Sequence, residues 1–400
     1  MRASRFPRIE QRVFWLLVAA GALLTAAGLG AAHRIEERGH AVTGMSNQVV
    51  WGVPHVFAIF LIVAASGVLN VASIGSVFGK PVYKARAPLS GLLSLAMLAG
   101  GLMVLMLDLG RPERVVVAAT HFNFRSVFAW NVFLYSGMFA IVTAYLWTMM
   151  ERRMTPYSKL AGLAAFFWRF VLTTGTGSIF GFLVARQAYQ SALLAPMFIV
   201  LSFGWGLAVF LIVQSFIYAW NGMRLPPAVQ TRMARLLGVF VLASLYFVAI
   251  YHLTNLYWAR QHAFERFILL DGGTLTWLFW SGYVVVGSVL PAAVLFSPLP
   301  RGRRAAVVAS GMVVIGAFAQ LYVFIVGGQA FPLEIFPGFS ASSEFFDGAI
   351  ASYVPKLPEF VLGLGGIGAA FLLTAIGVRA LHFVPEDDFL TGPTTPATQD

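Results

Sequence analysis

From Trp51 to Ser76 the chain reads WGVPHVFAIFLIVAASGVLNVASIGS, 26 residues without one Asp, Glu, Lys or Arg. An apolar run of roughly 20 residues is long enough, as a helix, to cross the hydrocarbon of a bilayer. Laid along the whole sequence, that ruler marks ten spans: about 13–31, 51–76, 89–108, 127–149, 163–185, 193–219, 233–257, 273–296, 305–328 and 359–380. The composition agrees, with 59% hydrophobic and 11% charged residues in 400, whereas a soluble domain carries about 25% charged residues. The expected fold is therefore all-α and polytopic, a single integral membrane domain over 1–400, with 381–400 as a cytoplasmic tail.

The net charge of +11 does not point to nucleic acid, because in a membrane chain basic residues report topology. With a cytoplasmic N-terminus, seventeen Lys and Arg fall on inner segments, among them Arg2, Arg5, Arg8, Lys80, Arg152, Arg232 and Arg303. Nine fall on outer segments, among them Arg34, Arg111, Arg125, Arg186, Arg260 and Lys356. That bias sets both termini in the cytoplasm; the expected location is a bacterial inner membrane. The first span follows four arginines, but its apolar stretch exceeds a signal-peptide core of about 7 to 15 residues, so a retained helix is expected. The 329–358 connection, with Pro332, Pro337, Pro355 and Pro358 among aromatics, is expected to cap the outer face. The Thr/Pro-rich tail with Glu386, Asp387 and Asp388 reads as disordered. Pro54 and Pro196 open the second and sixth spans alike, which fits two four-helix repeats of one orientation.

No cysteine is present, so a thiolate zinc site, an iron–sulfur cluster and covalent c-type haem are excluded from this chain; no metal site is expected. Polar side chains in the spans are then the functional candidates, since each costs several kcal/mol, order of magnitude, if it meets lipid unpaired. They gather toward the outer leaflet: His55, Asp108, Asn131, Arg186, Gln187, His252, Asn255 and Glu359, with His121, Arg125 and Trp130 in the connection before the fourth span. Asn70, Gln214 and Arg169 lie alone in the inner half and read as structural, Arg169 snorkelling or bonding backbone. Three readings fit His55: a haem ligand opposite His252, a packing residue, or a hydrogen-bonding group at a quinone oxygen. A near-neutral imidazole both donates to a quinone carbonyl and accepts a quinol proton, and such chemistry favours an adjacent carboxylate. Asp108 can serve as that carboxylate or pair with Arg111 or Arg114. In the run Asp108-Leu-Gly-Arg-Pro-Glu-Arg114, Gly110 suits a left-handed helix cap and Pro112 prevents continuation. A literal G-x-G-x-x-G at Gly363, Gly365 and Gly368 lies inside an apolar span with no strand before it; its glycines, like Gly177 and Gly181, suit close helix approach.

Asp108 to Arg114, His121-Phe-Asn-Phe-Arg125-Ser126 and Phe128-Ala-Trp130-Asn131 together resemble the signature of the NrfD/PsrC (polysulfide reductase-like) family of integral membrane subunits. Tyr353-Val-Pro-Lys-Leu-Pro-Glu359 and Arg379-Ala-Leu381 resemble its ten-helix branch. Trp51-Gly-Val-Pro-His55 and the stretch from Thr173 to Tyr189 look most like the DsrP type of the DsrMKJOP sulfur-metabolism complex. The resemblance implies two four-helix bundles with flanking helices, no haem or iron–sulfur cluster in this subunit, and an exchangeable menaquinone or ubiquinone near the outer face. A periplasmic ferredoxin-like iron–sulfur subunit would dock above, beside other membrane and cytochrome subunits. His55 and Asp108 would exchange protons with the head group, and His121, Arg125, Trp130 and Asn131 would complete the pocket. Two other classes remain: a secondary transporter, whose polar site belongs near the bilayer midplane, and a purely structural anchor, whose outer-leaflet polar residues are dispensable.

Overall fold

The computed structural model describes residues 11–220, 226–297, 302–333 and 348–381. The C-terminal tail and the middle of the 329–358 connection lie outside these residues. Ten helices are long and apolar enough to span a membrane, and no strand occurs among the described residues. They are α1 (Gln11–Arg38), α2 (Val53–Ser76), α3 (Ala87–Leu107), α4 (Val127–Met150), α5 (Ser158–Gly181), α6 (Leu194–Trp220), α7 (Pro227–Tyr257), α8 (Thr274–Phe296), α9 (Arg303–Ala330) and α10 (Leu357–Leu381). Several ends differ from the apolar runs. α1 continues to Arg38 and α7 begins at Pro227, because charged residues at a span's edge carry on the helical hydrogen bonding into the interface.

Helices α2 to α5 form one four-helix bundle and α6 to α9 the second, with α1 and α10 packed together on the flank of the first. The short connections make the helices alternate, so α2, α4, α6 and α8 all start at one end, termed the top. α2 sits at the centre: 89% of its most apolar stretch is buried, against 17% for α1. Its position explains its small residues. A Cβ on Gly67 would stand 1.6 Å from the Ser202 carbonyl oxygen, and one on Gly206 would stand 2.2 Å from the Gly67 carbonyl carbon, so α2 and α6 cross with backbones touching. The α1–α10 contact uses the same device, Gly28 against Gly365, within the G-x-G-x-x-G stretch. Gly177 likewise admits Leu194 and Ala195 at the head of α6.

Three π-helical segments occur in the described residues: Phe267–Asp271 after the short helix His262–Arg266, Leu278–Val289 inside α8, and Val323–Gly327 inside α9. All belong to the second bundle, the first in its α7–α8 connection and the others inside α8 and α9.

Candidate functional site

The ends of α2 and α3 bring His55 and Asp108 together at the top of the first bundle. Pro54 in the first turn of α2 lacks an N–H that would have no helical partner there, so the helix starts cleanly and puts His55 one position further in. α3 ends at Leu107, and Gly110 takes the left-handed conformation (φ 69°) that turns the chain away. Asp108 thus remains at the helix end, with its side chain buried. His55 Nδ1 lies 3.4 Å from Asp108 Oδ2, with side chains 13% and 5% exposed. The alternative partners, Arg111 and Arg114, are exposed. The second carboxylate oxygen, Asp108 Oδ1, is buried without a hydrogen-bond partner.

The indole of Trp51 stacks on the His55 ring, with centroids 5.2 Å apart and planes inclined by 11°. Trp51 is held in place by the other bundle. Gln329, buried at the end of α9, accepts the Trp51 N–H at 2.9 Å and the Val50 N–H at 3.0 Å through Oε1. Its Nε2 donates to the Trp51 carbonyl at 2.9 Å. Arg186 closes this girdle by donating to the Gln329 and Gln48 carbonyls, both at 2.8 Å. Burial lowers the Arg186 pKa from its ordinary value, while the two carbonyls meet its charge.

Asn131 is buried beneath the same end. Its amide nitrogen donates to Val127 O at 2.9 Å and Gly175 O at 3.3 Å, tying α4 to α5, and its Oδ1 has no donor. His121, Arg125 and Trp130 stand on exposed surface. The His121 imidazole bonds Thr120 Oγ1 at 2.9 Å and the Trp130 indole N–H donates to Phe124 O at 2.7 Å, so both are engaged locally rather than with His55. The expected set therefore divides into a buried group (His55, Asp108, Asn131) and an exposed one (His121, Arg125, Trp130). The link between them is aromatic: Phe128, half exposed, lies 6.5 Å from Trp51.

Glu359 is wholly buried at the head of α10, where Tyr353 O–H, Gly44 N–H and Lys356 N–H all donate to it. Burial, and the hydrogen bond to Glu359, hold the Tyr353 phenol above its ordinary pKa, so it stays a donor into the alkaline range. With both oxygens engaged, this carboxylate pins the segment before α10 against the one before α2. Arg169 corrects an expectation: it neither snorkels nor stands alone. It is buried on α5, donates through Nη1 to the Asn70 side-chain oxygen on α2, and lies within 5.6 Å of the Phe166, Phe170 and Phe203 rings. Ring faces and one amide replace the water that a snorkelling guanidinium would seek.

His252 and Asn255 meet a residue that the apolar spans leave in a connection. Glu265, on the short helix after α7, is completely buried. Its Oε2 lies 2.6 Å from His252 Nδ1, and its Oε1 accepts from Asn255 Nδ2 at 2.7 Å. The one available signal was a carboxylate ten residues past Asn255 in an aromatic-rich connection. His55 and His252, weighed as a facing pair, are each matched to a carboxylate of their own. Among the described residues no three His, Asp or Glu converge as a metal-binding group.

The fold and this site define a class: an all-helical, ten-span membrane protein of two parallel four-helix bundles, with a buried His–Asp pair at one end. The chain belongs to the NrfD family, described as polysulphide reductase, which matches residues 41–333. Three relatives are similar over most of their length. It is 29% identical to the Hdr-like menaquinol oxidoreductase integral membrane subunit of Archaeoglobus fulgidus, over 96% of this chain and 98% of that one. It is 21% identical to a selenate reductase subunit of Mesobacillus selenatarsenatis, over 85% and 88% of the two chains. It is also 21% identical to the menaquinone reductase integral membrane subunit of Nitratidesulfovibrio vulgaris, over 90% and 89%.

Proposed function

We propose that this chain is the quinone-interacting membrane subunit of a multi-subunit redox complex of sulfur metabolism, exchanging electrons between the quinone pool and a periplasmic iron–sulfur subunit. The observation that carries the reading is the orphaned Asp108 Oδ1. A buried carboxylate oxygen without a donor is costly in apolar surroundings, and beside an imidazole at the end of a bundle it suits a quinol hydroxyl. The menaquinol and menaquinone names of two relatives support the same substrate class.

Quinol oxidation releases two electrons and two protons; the electrons pass to the partner's nearest cluster. Within this chain, Asp108 Oδ1 accepts the hydrogen bond of one hydroxyl. The His55–Asp108 pair receives its proton, passes it to water at the exposed rim and then takes the second hydroxyl's proton by the same route, with Trp51 fixing the plane of the imidazole. Asn131 orients from below. The exposed rim of Phe128, Trp130, His121 and Arg125 faces the docking partner, and the basic-residue bias argues for this end being the periplasmic one. Quinone reduction runs the same steps backwards.

The test is quinone binding and quinol-dependent cluster reduction in the assembled complex, with His55→Ala and Asp108→Asn. Loss of both activities with assembly intact is expected. Parental binding and rate in both variants would overturn the site.

A further inference from the structure

At the top of the molecule the end of α1 and the connection after α3 enclose a cavity of about 650 Å³. Gly39, which follows α1, and Gly110, which follows α3, both line it and are both left-handed at φ 69°. The His40 ring rests on the second of these turns, since a Cβ on Gly110 would stand 3.2 Å from His40 Nε2. The floor is apolar. Ile35, 1% exposed, lines the cavity and belongs to a buried cluster with Ala31, Ala32, Val104 and Leu362.

The walls carry both signs of charge. Arg111 and Arg114 stand on the connection after α3, and Glu36 stands on α1. All three are exposed, and among the described residues no hydrogen bond or ion pair engages their side chains. Two unengaged guanidinium groups suit a phosphate, whose oxygens accept their paired N–H donors. Glu36 suits a cation, and so do the C-terminal ends of α1 and α3, where the helix dipole is negative. The ligand that matches both walls is a zwitterion with its two charges a few bonds apart. A simple anion would satisfy the arginines and meet Glu36 as a like charge.

Depth favours a lipid as the source of that zwitterion. The first apolar run ends near Ala31, and α1 continues as a helix to Arg38. At 1.5 Å per residue, Ile35 and Glu36 stand about 6 to 8 Å beyond it, within a headgroup layer roughly 5 to 8 Å thick. Leu29, two turns below Glu36 on the same face of α1, and Met106, just before the end of α3, are both exposed. Acyl chains below the cavity therefore meet apolar side chains.

We propose that this cavity is a phospholipid headgroup site for phosphoethanolamine, with Arg111 and Arg114 bonding the phosphate and Glu36 accepting from the ammonium. The bound headgroup braces α1, whose most apolar stretch is only 17% buried, against the connection that follows Asp108.

The experiment is native mass spectrometry of the full chain in detergent, titrated with palmitoyl-oleoyl phosphatidylethanolamine, with phosphatidylcholine and phosphatidylglycerol of the same acyl chains, and with inorganic phosphate. Phosphatidylethanolamine is expected to fill one site per chain. It should bind at least about tenfold more tightly than either other lipid, because trimethylation removes the N–H donors to Glu36 and a glycerol headgroup has no cation. Arg111→Ala combined with Arg114→Ala should weaken all three lipids, whereas Glu36→Gln should weaken phosphatidylethanolamine alone and erase its advantage. Equal binding of the three lipids to the parental chain overturns the proposal, as does a preference that survives Glu36→Gln. Inorganic phosphate that displaces the lipid at equal concentration overturns it too, by making the site one for a soluble anion. The comparison of lipids on the parental chain decides alone where a variant fails to fold. No quinone is present, so the outcome is independent of the reading of His55 and Asp108.

Discussion

At Asp108 one carboxylate oxygen is committed to His55 and the other is buried without a donor, so a neutral amide in its place keeps the shape and loses the proton acceptor. Asp108→Asn is expected to lower quinol-dependent cluster reduction by about 10²- to 10⁴-fold, the usual worth of a positioned general base, and His55→Ala similarly. Stopped-flow reduction of the partner's clusters, on complexes matched for assembly, measures both. Asn131 holds α4 to α5 and has a free oxygen at the same end. Asn131→Leu is expected to raise the KM for quinol more than it lowers kcat, because an amide orients a head group but does not take its proton. Arg169→Gln and Asn70→Ala, below the site, are expected to keep turnover in those chains that fold; an equal loss of turnover with unchanged stability would place Arg169 in the chemistry.

Between elements, two contacts carry testable consequences. Gln329 reads the N–H and C=O of Trp51 as a neighbouring strand would, so α9 of the second bundle sets the imidazole of the first through the stacked indole. Gln329→Leu leaves the Val50 and Trp51 N–H groups without their acceptor, each worth about 1 to 3 kcal/mol where water cannot replace it. Gln329→Glu keeps the acceptor and loses the amide nitrogen that donates to both the Trp51 and Ile325 carbonyls. Turnover should therefore be highest in the parental chain, lower in Gln329→Glu and lowest in Gln329→Leu, while a Trp51→Phe chain should be less sensitive to either change; additive losses would break the proposed chain of contact. The α2–α6 crossing is the second contact. Gly67→Ala drives a methyl into the Ser202 carbonyl and is expected to destabilise by about 1 to 3 kcal/mol. Gly30→Ala on α1, with open space around it, is expected to be neutral or stabilising. Thermal unfolding in detergent separates the two.

For the whole molecule, the alternation of ten helices and the basic-residue bias make one topological prediction. A reporter fused after Thr391 is expected to be active on the cytoplasmic side, and one inserted near Ser342 on the outer side. The reverse pattern would put both His–carboxylate pairs on the cytoplasmic face and remove the docking of a periplasmic partner. Purified chain is also expected to show no Soret absorption and no stoichiometric iron; one haem per chain, lost on replacing His55 or His252, would revive the cytochrome reading of those imidazoles.

Ten helices and their alternation were legible in the sequence, because hydrocarbon thickness imposes one length on every span and leaves an uninterrupted apolar run as the mark of each. His55 and Asp108 were legible as candidates by the same logic: polar groups are rare in such runs, and both fall at span ends on the same side. Their meeting was decided by tertiary structure, since one lies at the start of α2 and the other at the end of α3, and only antiparallel packing brings those ends within 3.4 Å. Glu265, Gln329 and the Arg169–Asn70 contact were beyond the sequence for a related reason. Glu265 stood in a connection where a charge usually meets water, and its burial depends on how the short helix His262–Arg266 folds over the end of α7. Gln329 pairs with backbone 278 residues away, and backbone leaves no pattern in side-chain identity. Local chemistry wrote the spans; the partner of each buried polar group was chosen by which helix ends the packing of two bundles brought together.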